Sequence, residues 1–357
     1  MSMFEPLANT ADTTGRKENT VRLNMRAKAG SITRRQAIIR GAQVAATCTL
    51  CPSVEAFAAP PQGPATSATK PRKLAVGIAT LGFDQLTNAE LARELAAAEL
   101  RTVQLFLSQT DSKFWQYNGR ADVSSLTPER CKDIAGTYRA AGLTIHSIGV
   151  YTNLIHPDAA ERKANLAYFK AMMAVGGHMG VHTFVTEAGH WENPQAPEPH
   201  VPLHFQDATW PQTVATVREL AGIAEGYDAK ILLEPFYRGF LASAKRVRLF
   251  LEEVNSPRVR ALLDPANLIE VNDLEEMFQQ LSPWIDCLHA KDRKLHTDAG
   301  VAAGAGSLDY PKLVTLAAQH TPHAPLVLEY VGGQNYQKAL AHLRSAMQQT
   351  GVEEQAG

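Results

Sequence analysis

Four places in the chain set an ionisable side chain directly behind two or three apolar residues. They are Leu232-Leu233-Glu234-Pro235, Leu262-Leu263-Asp264-Pro265, Cys287-Leu288-His289-Ala290 and Val327-Leu328-Glu329-Tyr330. An unpaired carboxylate at the end of a buried run is costly, so three of them gathered with one imidazole call for a compensating cation. Oxygen and nitrogen donors without a thiolate suit one divalent ion: Mn²⁺, Mg²⁺ or Co²⁺, with Zn²⁺ also admissible. Taken singly, each residue has a plainer reading. A strand-end Glu can be an ion-pair partner, a lone His a core residue, and Asp264 before Pro265 the start of a turn. The spacing argues for the group. The intervals of 30, 25 and 40 residues each correspond to about one strand–helix unit.

Those four residues need a scaffold that brings strand ends together. From residue 73 the chain alternates short apolar β-rich runs with longer amphipathic ones. The expected strands are 74–80, 102–107, 144–150, 181–186, 230–235, 259–264, 285–290 and 325–330. Near-continuous apolar runs suit parallel strands covered on both faces. The expected helices are 88–100, 128–141, 161–176, 210–225, 243–254, 274–281, 311–319 and 336–349. Thr127 with Pro128, Asp273 and Asp309 read as helix starts. Eight alternations predict an α/β fold, a (β/α)8 barrel of the usual size of about 250 residues, with its site at the C-terminal mouth of the strands. An open doubly wound sheet is the competitor. The first strand runs into Ile78-Ala79-Thr80-Leu81-Gly82-Phe83, which has no Gly-rich phosphate loop. The long Pro- and His-containing stretch 187–208 is expected to cover the mouth.

The N-terminal part reads differently. Residues 1–58 contain Arg34-Arg35, a moderately apolar run from Ala42 to Leu50, and Ala56-Phe57-Ala58. This order resembles a twin-arginine export signal with its cleavage site, although Ala37 and Ile39 depart from the usual pattern. Residues 59–72 hold four prolines and read as a linker, leaving 73–350 as a single barrel domain. The expected location is the periplasm.

The whole chain of 357 residues has a net charge of −1. Segment 1–58 carries eight basic and four acidic residues, so the remainder has 27 and 32, a net charge of −5. An acidic body without a basic patch argues against nucleic acid as a partner. The chain has no stretch of 18 apolar residues, so no membrane span is expected. Cys131 and Cys287 fall in helical and strand patterns and read as buried small hydrophobes.

These motifs resemble the xylose isomerase-like barrels, the sugar phosphate isomerase/epimerase group that includes tagatose epimerases, inosose dehydratases and hydroxypyruvate isomerases. The resemblance covers residues 73–350. It rests on Leu233-Glu234-Pro235, Asp264-Pro265-Ala266-Asn267-Leu268, His289-Ala290-Lys291-Asp292, Gly304-Ala305-Gly306-Ser307-Leu308-Asp309-Tyr310 and Leu328-Glu329. It implies that Glu234, Asp264, His289 and Glu329 hold one divalent metal, and that Glu234 and Glu329 also exchange protons with the substrate. Asn267 stands where family epimerases often carry His; it can bond a hydroxyl but cannot titrate. The family's DNA-repair endonucleases carry an Asp-x-His after strand seven, which this chain lacks.

A metal beside a carbonyl and its neighbouring hydroxyl acidifies the C–H between them, and carboxylates on either side can remove and return the proton. The expected function is isomerisation or epimerisation of a small sugar or keto-sugar through an enediolate. The alternatives are a lyase or dehydratase using the same site, and a catalytically silent sugar-binding barrel. Lys291 is a candidate substrate ligand or an ion-pair partner for Asp292 or another carboxylate. His156, Glu187, His190, Trp191 and His204 are candidate wall residues, with His156 and Glu187 foremost. No feature of the sequence fixes the oligomeric state, and a homo-oligomer is left open.

Overall fold

The computed structural model describes residues 72–189, 191, 201–297 and 299–355. The segments read as export signal and linker lie outside the described residues, apart from Arg72. So do His190 and residues 192–200 of the stretch read as a cover, 187–208.

Described strands and helices alternate as expected. They are β1 (Arg72–Leu74), β2 (Val76–Ala79), α1 (Asn88–Ala97), β3 (Thr102–Leu105), α2 (Pro128–Ala140), β4 (Thr144–Gly149), α3 (Ala159–Met179) and β5 (Thr183–Glu187). Next come α4 (Thr209–Glu225), β6 (Lys230–Glu234), α5 (Ala244–Val254), β7 (Val259–Leu263), α6 (Leu274–Leu281) and β8 (Ile285–Arg293). The remainder is β9 (Gly300–Ala302), α7 (Tyr310–His320), β10 (Leu326–Leu328), α8 (Tyr336–Thr350) and β11 (Val352–Glu354). Strands β2 to β8 pair in parallel, each with the next, and β10 pairs in parallel with both β8 and β2. The sheet therefore closes on itself as a (β/α)8 barrel, which leaves none of its eight strands as a free edge.

Local chemistry sets the helix starts. Thr87 and Glu90 form a reciprocal capping box at α1. Thr127 caps α2, with Pro128 in the first turn; Asp273 caps α6 and Asp309 caps α7. Three differences from the expected elements stand out. The first apolar run divides at Ala75 into β1, which pairs with β11 in a separate two-stranded sheet, and β2, which enters the barrel. Helix α3 starts earlier and ends later than 161–176, because Asp158 accepts from the Ala160 amide and Gly180 ends the helix at φ 71°. Strand β8 runs on to Arg293 and folds back through antiparallel β9.

The core has two layers. The larger lies between strands and helices. The smaller fills the barrel with Ala79, Val185, Leu232, Leu262, Cys287 and Val327, topped by Phe106 and Tyr151. Cys131 and Cys287 are both free and fully buried, as hydrophobes would be. Side chains two apart in a strand share a face. Leu232, Leu262, Cys287 and Val327 point into the barrel, so Glu234, Asp264, His289 and Glu329 follow them inward, one layer nearer the mouth.

Candidate metal centre

The strand ends converge as that period requires. Glu234, Asp264, His289 and Glu329 each offer one ligand-type atom, and these atoms lie within 4.8 Å of one another. His289 Nδ1 is 3.4 Å from Glu234 Oε1, 3.4 Å from Glu329 Oε2 and 3.7 Å from Asp264 Oδ2. The imidazole is fully buried, and Nδ1 has no hydrogen-bond partner. Its other nitrogen, Nε2, lies 2.7 Å from Gln104 Oε1. A carbonyl oxygen only accepts, so Nε2 carries a hydrogen, and Nδ1 is the nitrogen turned toward the three carboxylates. Three oxygens and one orphaned imidazole nitrogen are a donor set that fits a divalent cation.

Neutral groups hold the carboxylates in place. The Tyr151 hydroxyl donates to Glu234 Oε2 at 2.5 Å, and Asn267 Nδ2 donates to Glu234 Oε1 at 2.9 Å. Asn267 is placed by the 3-10 turn Pro265–Asn267, in which the Asp264 side chain accepts from the Asn267 amide. Lys291, two residues beyond His289 on the same face, sits 2.7 Å from Asp264 Oδ2 and 3.0 Å from Glu329 Oε2. Its ion-pair partners are therefore these two carboxylates and not Asp292. The ammonium also lies 4.5 Å from the ring centre of Tyr330.

Burial and charge pull these groups in opposite directions. Burial disfavours the charged forms of Asp264, His289 and Lys291. The neighbouring Lys291 and His289 nevertheless hold the Asp264 carboxyl at about 2. Glu329 and Glu234 push the His289 imidazole up to about 10, and Asp264 and Glu329 hold the Lys291 ammonium well above its ordinary value. Burial raises the Glu329 carboxyl above its ordinary value against the pull of His289 and Lys291. It also raises the Tyr151 phenol, with the Glu234 charge adding to the effect, so Tyr151 remains a hydrogen-bond donor.

The extension of β8 supports the cluster from behind. Asp292 turns away from the mouth and accepts from the amides of Arg293, Gly304 and Leu308. The Gly304–Tyr310 loop thereby wraps round the strand, and the Tyr310 hydroxyl donates to Lys291 O. Arg293 is almost fully buried and donates from Nε to Ala266 O, within the turn that carries Asp264 and Asn267.

The two sides of the mouth differ. The four ligand-type residues come from β6, β7, β8 and β10. The facing sector, β3 to β5 and their loops, is aromatic. Phe106 stacks on Tyr151 at 5.8 Å between ring centres, Trp115 is 5.6 Å from Phe106, and Tyr117 is 6.2 Å from Tyr151. Glu187, the last residue of β5, lies beside Glu234 in register and accepts from the Tyr117 hydroxyl at 2.9 Å. Burial, reinforced by the Glu234 charge, pushes the Glu187 carboxyl up to about 8.

Other expected wall residues serve local structure. His156 Nδ1 accepts from the Asp158 amide, and its ring packs edge-on against Trp191 at 4.5 Å. His204 is buried against Phe205. Sequence reasoning missed Gln104 and Tyr151. The signal for Gln104 was a lone amide inside an apolar strand, where a buried polar residue is the informative observation.

A closed parallel barrel whose mouth gathers three carboxylates and an imidazole defines a class of (β/α)8 proteins with a prospective metal centre. The chain belongs to the xylose isomerase-like TIM barrel family, whose model matches residues 92–346. No curated protein matches the chain at the level of sequence. Among solved structures, it is similar to 3-keto-D-glucoside 4-epimerase from E. coli in its apo form, with 17% identity over 76% of this chain and 100% of that one, TM-score 0.61. It is similar to D-psicose 3-epimerase from Clostridium cellulolyticum H10, solved with D-tagatose, with 15% identity over 78% and 98%, TM-score 0.58. It is also similar to a probable 3-DHS dehydratase from Bacillus anthracis, with 15% identity over 76% and 98%, TM-score 0.59. At these identities the likeness is one of fold.

Proposed function

We propose that this protein is a metal-dependent isomerase or epimerase acting on an unphosphorylated sugar or keto-sugar. The observation that carries the reading is His289 Nδ1, buried, without a partner and within 3.7 Å of three carboxylates. Glu234, Asp264, His289 and Glu329 would hold the ion. Once bound, a divalent ion supplies Lewis acidity toward a substrate carbonyl and so makes the adjacent C–H acidic. Glu234 and Glu329 flank the same point and are the two groups that can take and return that proton. Tyr151 and Asn267 fix the Glu234 carboxylate through both oxygens, so its position is set before substrate arrives. Lys291 can pass from its carboxylates to a substrate oxygen, where it would stabilise negative charge.

The fold neighbours include sugar epimerases and a dehydratase, which agrees with a common proton abstraction and differing outcomes. A lyase is the second reading. Its support is the Tyr151 phenol at Glu234, a buried donor able to protonate a leaving hydroxyl. The deciding measurement is metal content together with deuterium wash-in from D₂O across a panel of keto-sugars. A sugar-binding barrel without catalysis would exchange no C–H.

Export by the twin-arginine route is part of the same proposal. It rests on Arg34-Arg35, the apolar run and Ala56-Phe57-Ala58. A mature N-terminus near Ala59 in the native host supports it, and an uncleaved cytoplasmic chain refutes it.

A further inference from the structure

The aromatic sector continues beyond the depth of the ligand cluster. Phe106 and Tyr151 are buried, but Tyr117 is 50% exposed. Across the mouth, following β10, Tyr330 is 55% exposed. Large aromatic rings left in solvent at the rim of a site mark surface kept for a ligand.

Both rings are held. Tyr117 is tied through its hydroxyl to Glu187 and rests 6.4 Å from Trp115. Tyr330 has φ 56°, a conformation unfavourable for any residue with a β-carbon. A turn fixes it there: Asn335 accepts from the Gly332 amide and donates to Tyr330 O. The ring covers the Lys291 ammonium on one side and lies against Gly300 of β9, where an added β-carbon would stand 3.0 Å from it. Tyr117 belongs to the β3–β5 sector and Tyr330 to the β8–β10 sector, so the two rings stand on opposing sides of the mouth.

Charge narrows what enters between them. Glu187, Glu234, Asp264 and Glu329 surround Lys291, whose ammonium is already engaged by two of them. With that ammonium engaged, a phosphate or carboxylate on the substrate would find no uncommitted cationic side chain among these residues. A sugar ring is neutral, and its C–H face carries partial positive charge that suits the negative face of an aromatic ring.

Resting on the isomerase or epimerase reading, we infer that the substrate is an uncharged keto-glycoside. Its carbonyl-bearing ring lies at the ligand cluster, and a second sugar ring on its anomeric oxygen is held between Tyr117 and Tyr330. The buried aromatic layer of Phe106, Trp115 and Tyr151 serves the first ring. The two rim tyrosines serve the second.

The test compares 3-keto-cellobiose with 3-keto-glucose on the Mn²⁺-loaded full chain. Calorimetry reads binding, and deuterium wash-in reads chemistry. The disaccharide should bind about tenfold more tightly than the monosaccharide, the effect of one or two aromatic contacts. That preference should collapse in Tyr117→Ala and Tyr330→Ala and persist in Tyr117→Phe and Tyr330→Phe, which keep the rings. Equal binding of the two probes overturns the inference, as does a preference that survives both Ala variants. A preference without any deuterium exchange upholds the clamp and overturns the catalytic reading. Exchange without a preference does the reverse.

Discussion

His289 and Gln104 lie on opposite sides of the barrel, on β8 and β3, and meet through its interior at 2.7 Å. The pairing sets the tautomer of the imidazole, and so decides which nitrogen faces the carboxylates. A β-bulge lies at the same point: Val103 pairs with Ile145 and Gln104 with Ser147, so His146 is the extra residue. Gln104→Leu should lower metal affinity about 10–100-fold, as loss of a histidine's outer partner generally does. Turnover at saturating metal should fall much less. A metal titration that matches wild type would show that Gln104 has no such part.

The ligands and the proton-transfer groups should separate in their response to metal. Asp264→Asn and His289→Ala should lose activity in a way that excess metal partly restores. Glu234→Gln and Glu329→Gln keep an oxygen but lose the base, and should lose about 10²–10⁴-fold in turnover even at saturating metal. If one glutamate abstracts and the other returns the proton, one Gln variant will still wash deuterium into the sugar without forming product. Full activity in either variant refutes the paired-glutamate mechanism.

Metal binding should strengthen with pH. In the metal-free protein the His289 imidazole is pushed up to about 10, so at neutral pH it holds a second proton that a metal must displace from Nδ1. Raising the pH removes that competitor, and apparent affinity should rise by up to about tenfold per pH unit between about pH 6 and pH 8. Competition against a chelator of known affinity measures this, and a flat profile contradicts it.

Glu187 bears on stability. Its folded carboxyl lies at about 8, above the ordinary 4.5, so the folded state holds a proton that the unfolded state has released in the interval between. The stabilisation from that neutral carboxyl is complete below the unfolded value and is lost as pH rises through about 8. Glu187→Gln stays neutral throughout. Relative to wild type, the metal-free variant should gain stability in denaturant melts at about pH 8.5, compared with the difference at about pH 5. An identical difference at both would remove Glu187 from the pH response.

The loop around Asp292 leaves no room for a side chain at Gly306. A β-carbon there would stand 2.6 Å from the Arg293 amide nitrogen and press on the Asp292 carboxylate. Gly306→Ala should cost about 1–3 kcal/mol. Gly136, inside α2 with nothing within 4 Å of its added β-carbon, is the contrast: Gly136→Ala should stabilise by up to about 1 kcal/mol. Thermal melts of both variants check the pair.

The eight strands and their helices were legible because parallel strands buried on both faces leave apolar runs, and caps such as Thr127, Asp273 and Asp309 announce helix starts. Glu234, Asp264, His289 and Glu329 were legible because a charge after an apolar run stands out. Gln104 and Tyr151 were not, because neither carries a charge: Gln104 is marked only as a lone amide in an apolar strand, and Tyr151, just past β4, reads as one more large side chain of the core. The partners of Lys291 were hidden for another reason. Asp292 adjoins it in sequence, but strand alternation sends the two side chains to opposite faces, so Lys291 meets Asp264 and Glu329 instead. Strand β9 is three residues long and owes its form to the hairpin with β8, which local periodicity does not encode.

Strand β1 pairs with β11, matching Arg72 to Val352 and Leu74 to Glu354, at the end of the barrel remote from the mouth. Among the described residues the last secondary-structure element thus lies beside the first, and the barrel is a ring whose seam has no chemical duty. A short peptide joining residue 354 to residue 72 would make a circular permutant, with new termini opened in any loop on the seam's side. The same seam suits tethering to a solid support, since a linker attached at Glu354 leaves the mouth facing solution.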